Sequence, residues 1–293
     1  MTRWIAVDWG TTALRATLME GERAVQSRAS ENGMNALAPT VFEATLLSLV
    51  EDWLDGRTEI IACGMVGARQ GWCEAPYATV PCAPLGSGLV AAPATDPRLS
   101  VRIVPGLRQT APHPDVMRGE ETQIAGILGT LEGFDGVACL PGTHTKWVHV
   151  SAGEVISFRT VMTGELFSTL CSGTVLRHSL GGDAWREEPF VDAVSDALSR
   201  PERLTARLFE LRAADLLHGQ DAATGRSILS GLLIGAELAA TRPWWLGRDV
   251  VITGSARTTQ AYDAALKSQG VRPRILPADA MTLAGLAAAK DLP

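Results

Sequence analysis

An aspartate and a glycine-threonine turn follow the first apolar run of this chain. Asp8 comes directly after residues 4–7, and the turn that follows contains Gly10, Thr11 and Thr12. Because glycine has no side chain, the backbone N–H groups of such a turn can approach a phosphate closely. A carboxylate at a strand end also suits Mg²⁺, often through bound water. The same residue types form ordinary capped hairpin turns, so the motif alone leaves both explanations open.

A second glycine turn, with hydroxyls and a cation, lies near the middle of the chain. Its phosphate-binding candidates, within the run PGTHTKW, are Gly142, Thr143, His144 and Lys146. Backbone N–H groups, hydroxyls and a cation of this kind can hold the terminal phosphates of ATP. A plain β-turn with a surface lysine is the alternative. We expect His144 to orient the hairpin and not to act as a base, because it lies where triphosphate is expected.

A third junction, in which small residues follow a strand as in the two turns above, is found late in the chain. Residues 250–253 read as a buried strand, and Gly254 and Ser255 precede a helical pattern. Bare backbone at such a junction lets a flat adenine ring lie against it. The sequence contains neither a GxxxxGK[ST] loop nor a GxGxxG fingerprint, so the commoner nucleotide-binding loops are not available. The order of the three junctions is therefore more informative than any one of them.

The elements that must position these residues recur in the two halves of the chain. Strands are predicted at 4–7 and 13–19 around the first turn, and at 136–140 and 147–150 around the second. This repetition indicates a duplicated unit. The mixture of strands and helices predicts an α/β fold with helices against each sheet. The other predicted strands are 59–63, 101–104, 155–158, 250–253 and 274–276, and the predicted helices are 40–54, 116–130, 192–198, 201–217, 224–241, 258–268 and 281–290; residues 76–114 are predicted to be rich in loops.

Two adjacent carboxylates are the leading candidates for the base that phosphoryl transfer requires. Glu120 and Glu121 open the predicted helix after Gly119, with Glu165 as a reserve candidate that would otherwise be a turn residue. Neighbouring residues on a helix point about 100° apart, so at most one of the pair can face a substrate hydroxyl. Two solvated acids that stabilise a helix N-terminus are the alternative explanation.

A substrate that carries a carboxylate calls for a guanidinium group. Arg118 lies nearest to the proposed base and is the leading candidate; Arg15, also predicted to bind phosphate, and Arg159 and Arg177 are alternatives. A loop with little bulk at its start and aromatic residues at its end could close over a sugar. Its candidate substrate-binding residues are Gly64, Met65, Trp72 and Tyr77.

Charge and composition restrict the class of partner. A net charge of −6 and a pI near 5.4 argue against nucleic acids and anionic membranes, which require clustered Lys and Arg. The five cysteines form no CxxC pair, so neither a disulfide framework nor a zinc site is indicated. The N-terminal residues lack the apolar core of a signal peptide, and the apolar run 228–240 is too short to span a bilayer. We therefore expect a cytoplasmic protein that acts on small molecules.

The motifs together resemble a known family. The three junctions match in order the two phosphate motifs and the adenosine motif of the superfamily of sugar kinases, hexokinase, actin and heat-shock chaperones. A longer series of segments is similar to the 2-dehydro-3-deoxygalactonokinase family. These segments are DWGTT (8–12), CGMVGARQGWCEAPY (63–77), VMRGEETQ (116–123), LPGTHTKWV (140–148), FRTVMTGEL (158–166), LRHSL (176–180) and LSGLLIGAE (229–237).

This resemblance implies a fold, a reaction and a set of ligands. The fold would be two RNase H-like (actin/hexokinase-like) domains, predicted at 1–115 and 116–293, with an ATP cleft between them. The reaction would be ATP-dependent phosphorylation of the 6-hydroxyl of 2-dehydro-3-deoxy-D-galactonate in the DeLey-Doudoroff route of galactonate breakdown, with Mg²⁺ organised by Asp8. Alternatives are a kinase for another small sugar or sugar acid, and a non-enzymatic sugar sensor. A homodimer is an open alternative for the assembly.

Overall fold

The structure is a computed structural model that describes residues 3–86 and 88–292. The strands are β1 (Arg3–Trp9), β2 (Leu14–Glu20), β3 (Arg23–Ser30), β4 (Thr58–Gly64), β5 (Ala78–Thr79), β6 (Val90–Ala91), β7 (Leu99–Ile103), β8 (Leu107–Gln109), β9 (Asp115–Met117), β10 (Gly136–Leu140), β11 (Thr145–Ser151), β12 (Glu154–Val161), β13 (Val250–Gly254) and β14 (Arg274–Pro277). The helices are α1 (Phe42–Val50), α2 (Glu120–Thr130), α3 (Thr163–Gly173), α4 (Glu187–Ser199), α5 (Leu204–His218), α6 (Ala222–Ala240), α7 (Arg242–Trp245), α8 (Ala256–Ser268) and α9 (Ala278–Lys290).

The chain divides into two compact units that are discontinuous in sequence. The first unit comprises Met1–Asp135, Val150–Phe158 and Pro277–Pro293, and the second comprises Gly136–His149 and Arg159–Leu276. This division differs from the predicted boundary at residue 115. The physical reason is that α2 packs against α9, so both helices belong with the first sheet.

The two larger sheets repeat one strand order. The first has the order β3-β2-β1-β4-β7-β6, and the second has the order β12-β11-β10-β13-β14. In both, an early strand lies between the strand that follows it in sequence and a later strand that runs parallel to it: β1 pairs with β4, and β10 pairs with β13. The predicted duplication and the predicted α/β fold are confirmed.

The first sheet carries a helix on each face. Successive side chains of a strand point to opposite faces, and Trp9 of β1 packs on Phe42 of α1 with ring centroids 4.9 Å apart. On the other face, Trp4 and Ala6 of β1 lie in a buried cluster with Leu286 of α9. The end of β1 is therefore held between two helices, which fixes the position of Asp8.

The second sheet is covered on one face by three helices. Val137 and Cys139 of β10 are buried with Val194 of α4, Leu238 of α6 and Tyr262 of α8. The apolar run 228–240 lies in the largely buried helix α6, where the sequence predicted a helix. No helix among the described residues has the length and apolar character needed to cross a membrane.

Two sequence predictions about elements are wrong. Residues 115–117 form β9 and not the start of a helix, because they pair with β8. Gly119, at a φ of 105°, is not in a helical conformation and separates these residues from α2. Glu165 is not a turn residue: it lies in the first turn of α3, a helix that the sequence analysis missed. The predicted helix at 192–198 is confirmed and begins earlier, at Glu187.

Candidate functional site

The backbone of the first glycine-threonine turn is hydrogen-bonded to neighbouring segments, and its threonine side chains are exposed. The N–H of Gly10 donates to the carbonyl of Ala13 at 2.9 Å and closes the turn. The N–H groups of Met34 and Asn35 donate to the carbonyls of Gly10 and Thr11 at 3.0 Å. Thr11 and its neighbour Thr12 are exposed. The backbone of the turn is therefore held in place while its two hydroxyls face solvent.

Asp8 lies at the end of β1 beside this turn. Its carboxylate is 3.4 Å from the guanidinium of Arg15 on β2, and 31% of the side chain is exposed. Burial raises the pKa of Asp8 above its usual value. Arg15 opposes that shift, and the negative charges of Asp279 and Glu120 add to it. Asp8 thus stands in a locally negative field with a single adjacent arginine in contact.

Two glycines bring the start of α2 to this strand end. Gly64, the last residue of β4, is paired with Trp9 and has a φ of 89°; a Cβ there would lie 2.7 Å from the Trp9 carbonyl oxygen. Gly119, the N-cap of α2, has a φ of 105°, and a Cβ there would be 3.4 Å from Gly64 Cα. Positive φ and close backbone approach both favour glycine. The carboxylates at 120 and 121 are thereby placed beside the end of β1.

Glu120 and Glu121 have different surroundings although they are adjacent. Glu121 is 0% exposed, and its carboxylate accepts the N–H of Gly119 at 2.7 and 2.9 Å and the hydroxyl of Thr122 at 3.1 Å. Burial, and secondarily the charge of Glu120, raise the pKa of Glu121 to about 7. Glu120 is half-buried and accepts the N–H of Arg118 at 3.1 Å. Of the two, Glu120 is the carboxylate that a substrate can reach.

Arg118 is held by its partners and retains unused donors. Its Nη2 donates to the carbonyl of Ala75 at 2.7 Å, and its guanidinium lies 4.3 Å above the ring of Tyr77. Its Nε and Nη1 are buried and have no hydrogen-bond partner. A buried N–H without an acceptor is costly. The arrangement therefore leaves two covered donors of a cation without an acceptor among the described residues.

The other predicted sugar-binding residues of the first unit are Met65, Tyr77 and Trp72. Met65 opens a single 3-10 turn, Met65–Gly67, directly after β4 and is half-buried. Tyr77 supports Arg118 as described. Trp72 packs edge-on against Trp9, with ring centroids 6.5 Å apart, so part of this side chain serves the core of the first unit.

In the second unit, the turn after β10 is packed against the start of α3. A Cβ on Gly164 would lie 2.1 Å from the carbonyl oxygen of Gly142, so only glycine allows this approach. The N–H of Glu165 donates to the carbonyl of Thr143 at 2.9 Å, and the Glu165 carboxylate lies 2.5 Å from His144 Nε2. His144 and Glu165 are therefore partners, and the orienting role of His144 stays a prediction. Glu165, the reserve base, lies in the second unit with the phosphate turn.

The other predicted nucleotide residues lie close to this turn. Gly254 ends β13, and a Cβ there would be 3.0 Å from the carbonyl oxygen of Pro141. Ser255 is the N-cap of α8 and accepts the N–H of Thr258 at 3.3 Å. Lys146 is only 4% exposed within β11, so the alternative of a plain turn with a surface lysine does not hold.

A cavity of about 310 Å³ opens beside the second turn. It is lined by the turn and the start of α3, and by aromatic, aliphatic and cationic side chains from α3, α6 and α8 and from the segment before α4. Arg226 lies 4.7 Å above the ring of Phe167, and Trp185 packs on Phe190 at 4.4 Å. The lining residues include Gly142, Thr143, Thr163, Gly164, Phe167, Trp185, Arg226, Ser230, Leu233, Arg257 and Tyr262.

The sequence analysis missed several residues of both regions. Asp279, whose negative charge raises the pKa of Asp8, could not be connected with Asp8 from the sequence because it lies near the other end of the chain. Trp185 and Arg226 belong to no recognisable motif. Glu237 did give a signal, since it is a lone carboxylate in an apolar helical run, and the structure buries it to 3% exposure behind the cavity. Across residues 3–86 and 88–292, no group of three or more His, Cys, Asp and Glu side chains is arranged to hold a metal ion.

Sequence comparisons match the chain to one family over nearly its whole length. The profile of the family described as 2-keto-3-deoxy-galactonokinase covers residues 8–289. The "Probable 2-dehydro-3-deoxygalactonokinase DgoK1" of Rhizobium meliloti (strain 1021) is 41% identical over 295 residues, which are 98% of this chain and 96% of that protein. The 2-dehydro-3-deoxygalactonokinase of Escherichia coli (strain K12) is 34% identical over 288 residues, 97% of this chain and 96% of that protein.

Solved structures agree with the sequence comparisons. A crystal structure of a candidate 2-dehydro-3-deoxygalactonokinase from Sinorhizobium meliloti has a TM-score of 0.90 at 40% identity and covers 98% of this chain and 97% of that one. Component A of (R)-2-hydroxyglutaryl-CoA dehydratase from Acidaminococcus fermentans has a TM-score of 0.53 at 14% identity, with coverage of 99% and 96%. At that identity the likeness concerns the fold alone, and it agrees with the actin-like two-domain α/β fold.

Proposed function

The chain belongs to the 2-keto-3-deoxy-galactonokinase family, and we propose that it transfers the terminal phosphoryl group of ATP to the 6-hydroxyl of 2-dehydro-3-deoxy-D-galactonate. The observation that carries the mechanism is the cluster at the end of β1, where a reachable carboxylate, a second carboxylate and an arginine with unused donors come together. A kinase for a sugar acid needs each of these groups. The alternatives of another sugar kinase and of a non-enzymatic sensor have no comparable support.

Glu120 is the proposed general base. The attacking hydroxyl must lose its proton as the new P–O bond forms, and a carboxylate within hydrogen-bond reach accepts that proton. Glu120 is partly exposed and is oriented by the N–H of Arg118. Glu121 is fully buried, and its carboxylate already accepts two donor groups. We therefore assign proton transfer to Glu120 and an orienting role at the N-terminus of α2 to Glu121.

Arg118 is the proposed partner of the substrate carboxylate. Among residues 3–86 and 88–292, its Nε and Nη1 have no acceptor, and an N–H of a guanidinium forms a strong charge-assisted hydrogen bond with a carboxylate. Both atoms are covered, and a Cβ on Gly67 would lie 2.8 Å from Nη1. A sugar acid therefore reaches them only when the neighbouring turn Met65–Gly67 moves. A neutral sugar would leave these donors unsatisfied.

Nucleoside binding is proposed for the second unit, and phosphate binding is proposed for each of the two glycine turns. The cavity beside Gly142 and Thr143 combines turn backbone with the aromatic and cationic side chains of Trp185 and Arg226, which suits a nucleoside and its phosphates. The roles of Gly10, Thr11, Thr12 and Arg15 on phosphate, and of Gly254 and Ser255 on adenosine, stay predictions. So does the idea that both turns hold one nucleotide.

Mg²⁺ is the proposed metal, and the residues of the first unit fit it. Desolvation, together with the negative charges of Asp279 and Glu120, raises the pKa of the partly exposed Asp8, and a divalent cation relieves repulsion between carboxylates. Asp8 would hold the ion, with water as the other ligands, as is usual for Mg²⁺. When bound, the ion would supply positive charge that neutralises the phosphates of ATP. A cytoplasmic location and a place in galactonate breakdown are part of the same proposal.

A substrate panel with a matched pair of arginine variants tests the proposal. The wild-type protein with ATP, Mg²⁺ and 2-dehydro-3-deoxygalactonate should form ADP, measured with a coupled assay. Arg118→Lys keeps the charge but loses the guanidinium fork, so the KM for the sugar acid should rise about 10- to 100-fold. Arg108→Lys changes an exposed arginine of the same unit, which contacts Thr79, and should leave KM unchanged. An absence of ADP formation by the wild type would refute the proposed function.

A further inference from the structure

Glu237 of α6 is a buried carboxylate that accepts hydrogen bonds from three other elements. Its Oε1 accepts the indole N–H of Trp147 on β11 at 2.7 Å. Its Oε2 accepts the hydroxyl of Tyr262 on α8 at 2.8 Å and the hydroxyl of Thr163 at the start of α3. Each oxygen accepts at least one donor, so the group joins α6 to β11, to α3 and to α8.

Two of these three partners lead to the phosphate turn. The hydroxyl of Tyr262 is also 2.8 Å from the hydroxyl of Thr145, the residue directly after the turn 142–144. Thr163 precedes Gly164, the residue against which the carbonyl of Gly142 packs. Thr163 and Tyr262 both line the cavity beside the turn. Glu237 therefore lies behind the cavity wall and is connected to the turn by two short routes.

Core stability alone is a poor explanation for a carboxyl group at this position. Leu233 and Leu238 occupy neighbouring buried positions of the same helix, and a buried apolar residue is often at least as stabilising as a buried charge. Desolvation raises the pKa of Glu237 to about 7, while its three donors oppose that shift. An ionised carboxylate can accept all three donors, whereas a protonated one carries an O–H that must itself donate to a neighbour.

We propose that Glu237 is a positioning residue for nucleotide binding, which fixes the hydroxyls of Thr163 and Tyr262 and through them the turn 142–144. This inference rests on the proposed kinase function, because it assigns the turn to the phosphates of ATP. Glu237 itself touches no substrate in this proposal. Its loss would loosen both the turn and the first turn of α3, and the nucleotide would then have to order them on binding.

Nucleotide affinity, measured directly, is the first test. Glu237→Gln keeps size and one carbonyl oxygen for Trp147, but its amide donates towards Thr163 and Tyr262, so both hydroxyls must turn away. The Kd for ADP, measured by calorimetry on the full chain, should rise about tenfold, equivalent to about 1.4 kcal/mol. Tyr262→Phe removes one of the two routes and should raise the Kd in the same direction by less. In steady-state assays the KM for ATP should rise while the KM for the sugar acid stays unchanged.

Trp147→Phe is the matched control. It removes the one donor to Glu237 that has no further bond to the turn, so it should lower the melting temperature but leave the Kd for ADP within about twofold. If Glu237→Gln and Tyr262→Phe bind ADP as tightly as the wild type, or if Trp147→Phe weakens binding equally, Glu237 is only a structural residue. These outcomes differ from failure of the kinase proposal, in which the wild type would form no ADP from the sugar acid or bind no ADP at all.

Discussion

At the scale of single residues, one step along a helix separates two chemical roles. Glu120 and Glu121 have the same side chain, yet one is half-buried and the other is fully enclosed. The difference comes from Gly119, whose positive φ turns the chain so that its own N–H meets the carboxylate of Glu121. The sequence predicted that only one of the pair could face a substrate. It could not say which, because the answer depends on what packs over α2.

Glu120→Gln tests the assignment of the base. The amide keeps the size of the side chain and can still accept the N–H of Arg118, but it cannot take a proton. We expect kcat to fall about 10²- to 10⁴-fold, the usual contribution of a general base, with little change in the KM for ATP. Steady-state assays of ADP release measure both constants. The control is Glu132→Gln, an exposed acid just after α2, and activity close to wild type in Glu120→Gln would move the role elsewhere.

At the scale of elements, sequence patterns predicted the strands that carry apolar side chains and missed those that do not. β1, β4 and β10 are almost entirely buried, and their runs of apolar residues are visible in the sequence. β3 has a mostly exposed side-chain pattern, so it shows no alternation and is held by its pairing with β2. β9 and α3 were also missed, since tertiary contacts and not local preference decide their structure.

The same reasoning explains which parts of the candidate site could be predicted. The glycine turns were visible because glycine directly after an apolar strand marks a turn. Asp279 and Trp185 were not, because each reaches its region by the packing of a helix or segment distant in sequence, and the lone carboxylate of Glu237 was visible only as an exception in an apolar run. Pattern analysis therefore found the local turns, while the surrounding acids and aromatic walls required the fold.

The start of α2 is expected to make stability depend on pH. The pKa of Glu121 is about 7 in the folded protein and its ordinary value is 4.5. The folded state therefore binds the proton more tightly, so the stabilisation is complete below about pH 4.5 and is lost as pH rises through 7. Between pH 5 and pH 8 the loss should amount to roughly 2 kcal/mol, given about 1.4 kcal/mol for each unit of pKa difference.

Glu121→Gln isolates this contribution because an amide does not titrate. Urea unfolding, followed by tryptophan fluorescence at several pH values, gives the free energy of unfolding of both proteins. The wild type should lose stability relative to Glu121→Gln as pH rises from 5 to 8. Glu237 has a raised pKa in both proteins and so cancels in the comparison. A difference that does not vary with pH would mean that Glu121 is ionised throughout this range.

At the scale of the whole molecule, one strand order has been used twice and supplies different groups each time. The end of β1 in the first unit carries the carboxylates and Arg118, whereas the corresponding turn after β10 opens on the cavity with Trp185 and Arg226. The duplicated framework therefore explains the two similar turns, while the residues around each turn decide the chemistry. We propose proton transfer and sugar binding for the first unit and nucleoside binding for the second.

If the two units have these separate roles, substitutions in one unit and in the other should change different kinetic constants. Ser230→Tyr would place a ring in the 310 Å³ cavity and should raise the KM for ATP at least about tenfold, while the KM for the sugar acid stays unchanged. Ser195→Tyr makes the same change at an exposed position of α4 and should have no effect. Because Ser230→Tyr acts on binding and Glu120→Gln on the chemical step, their effects on kcat/KM should multiply in the double variant. Should Ser230→Tyr instead raise the KM for the sugar acid alone, the cavity would have to be reassigned from nucleotide to sugar.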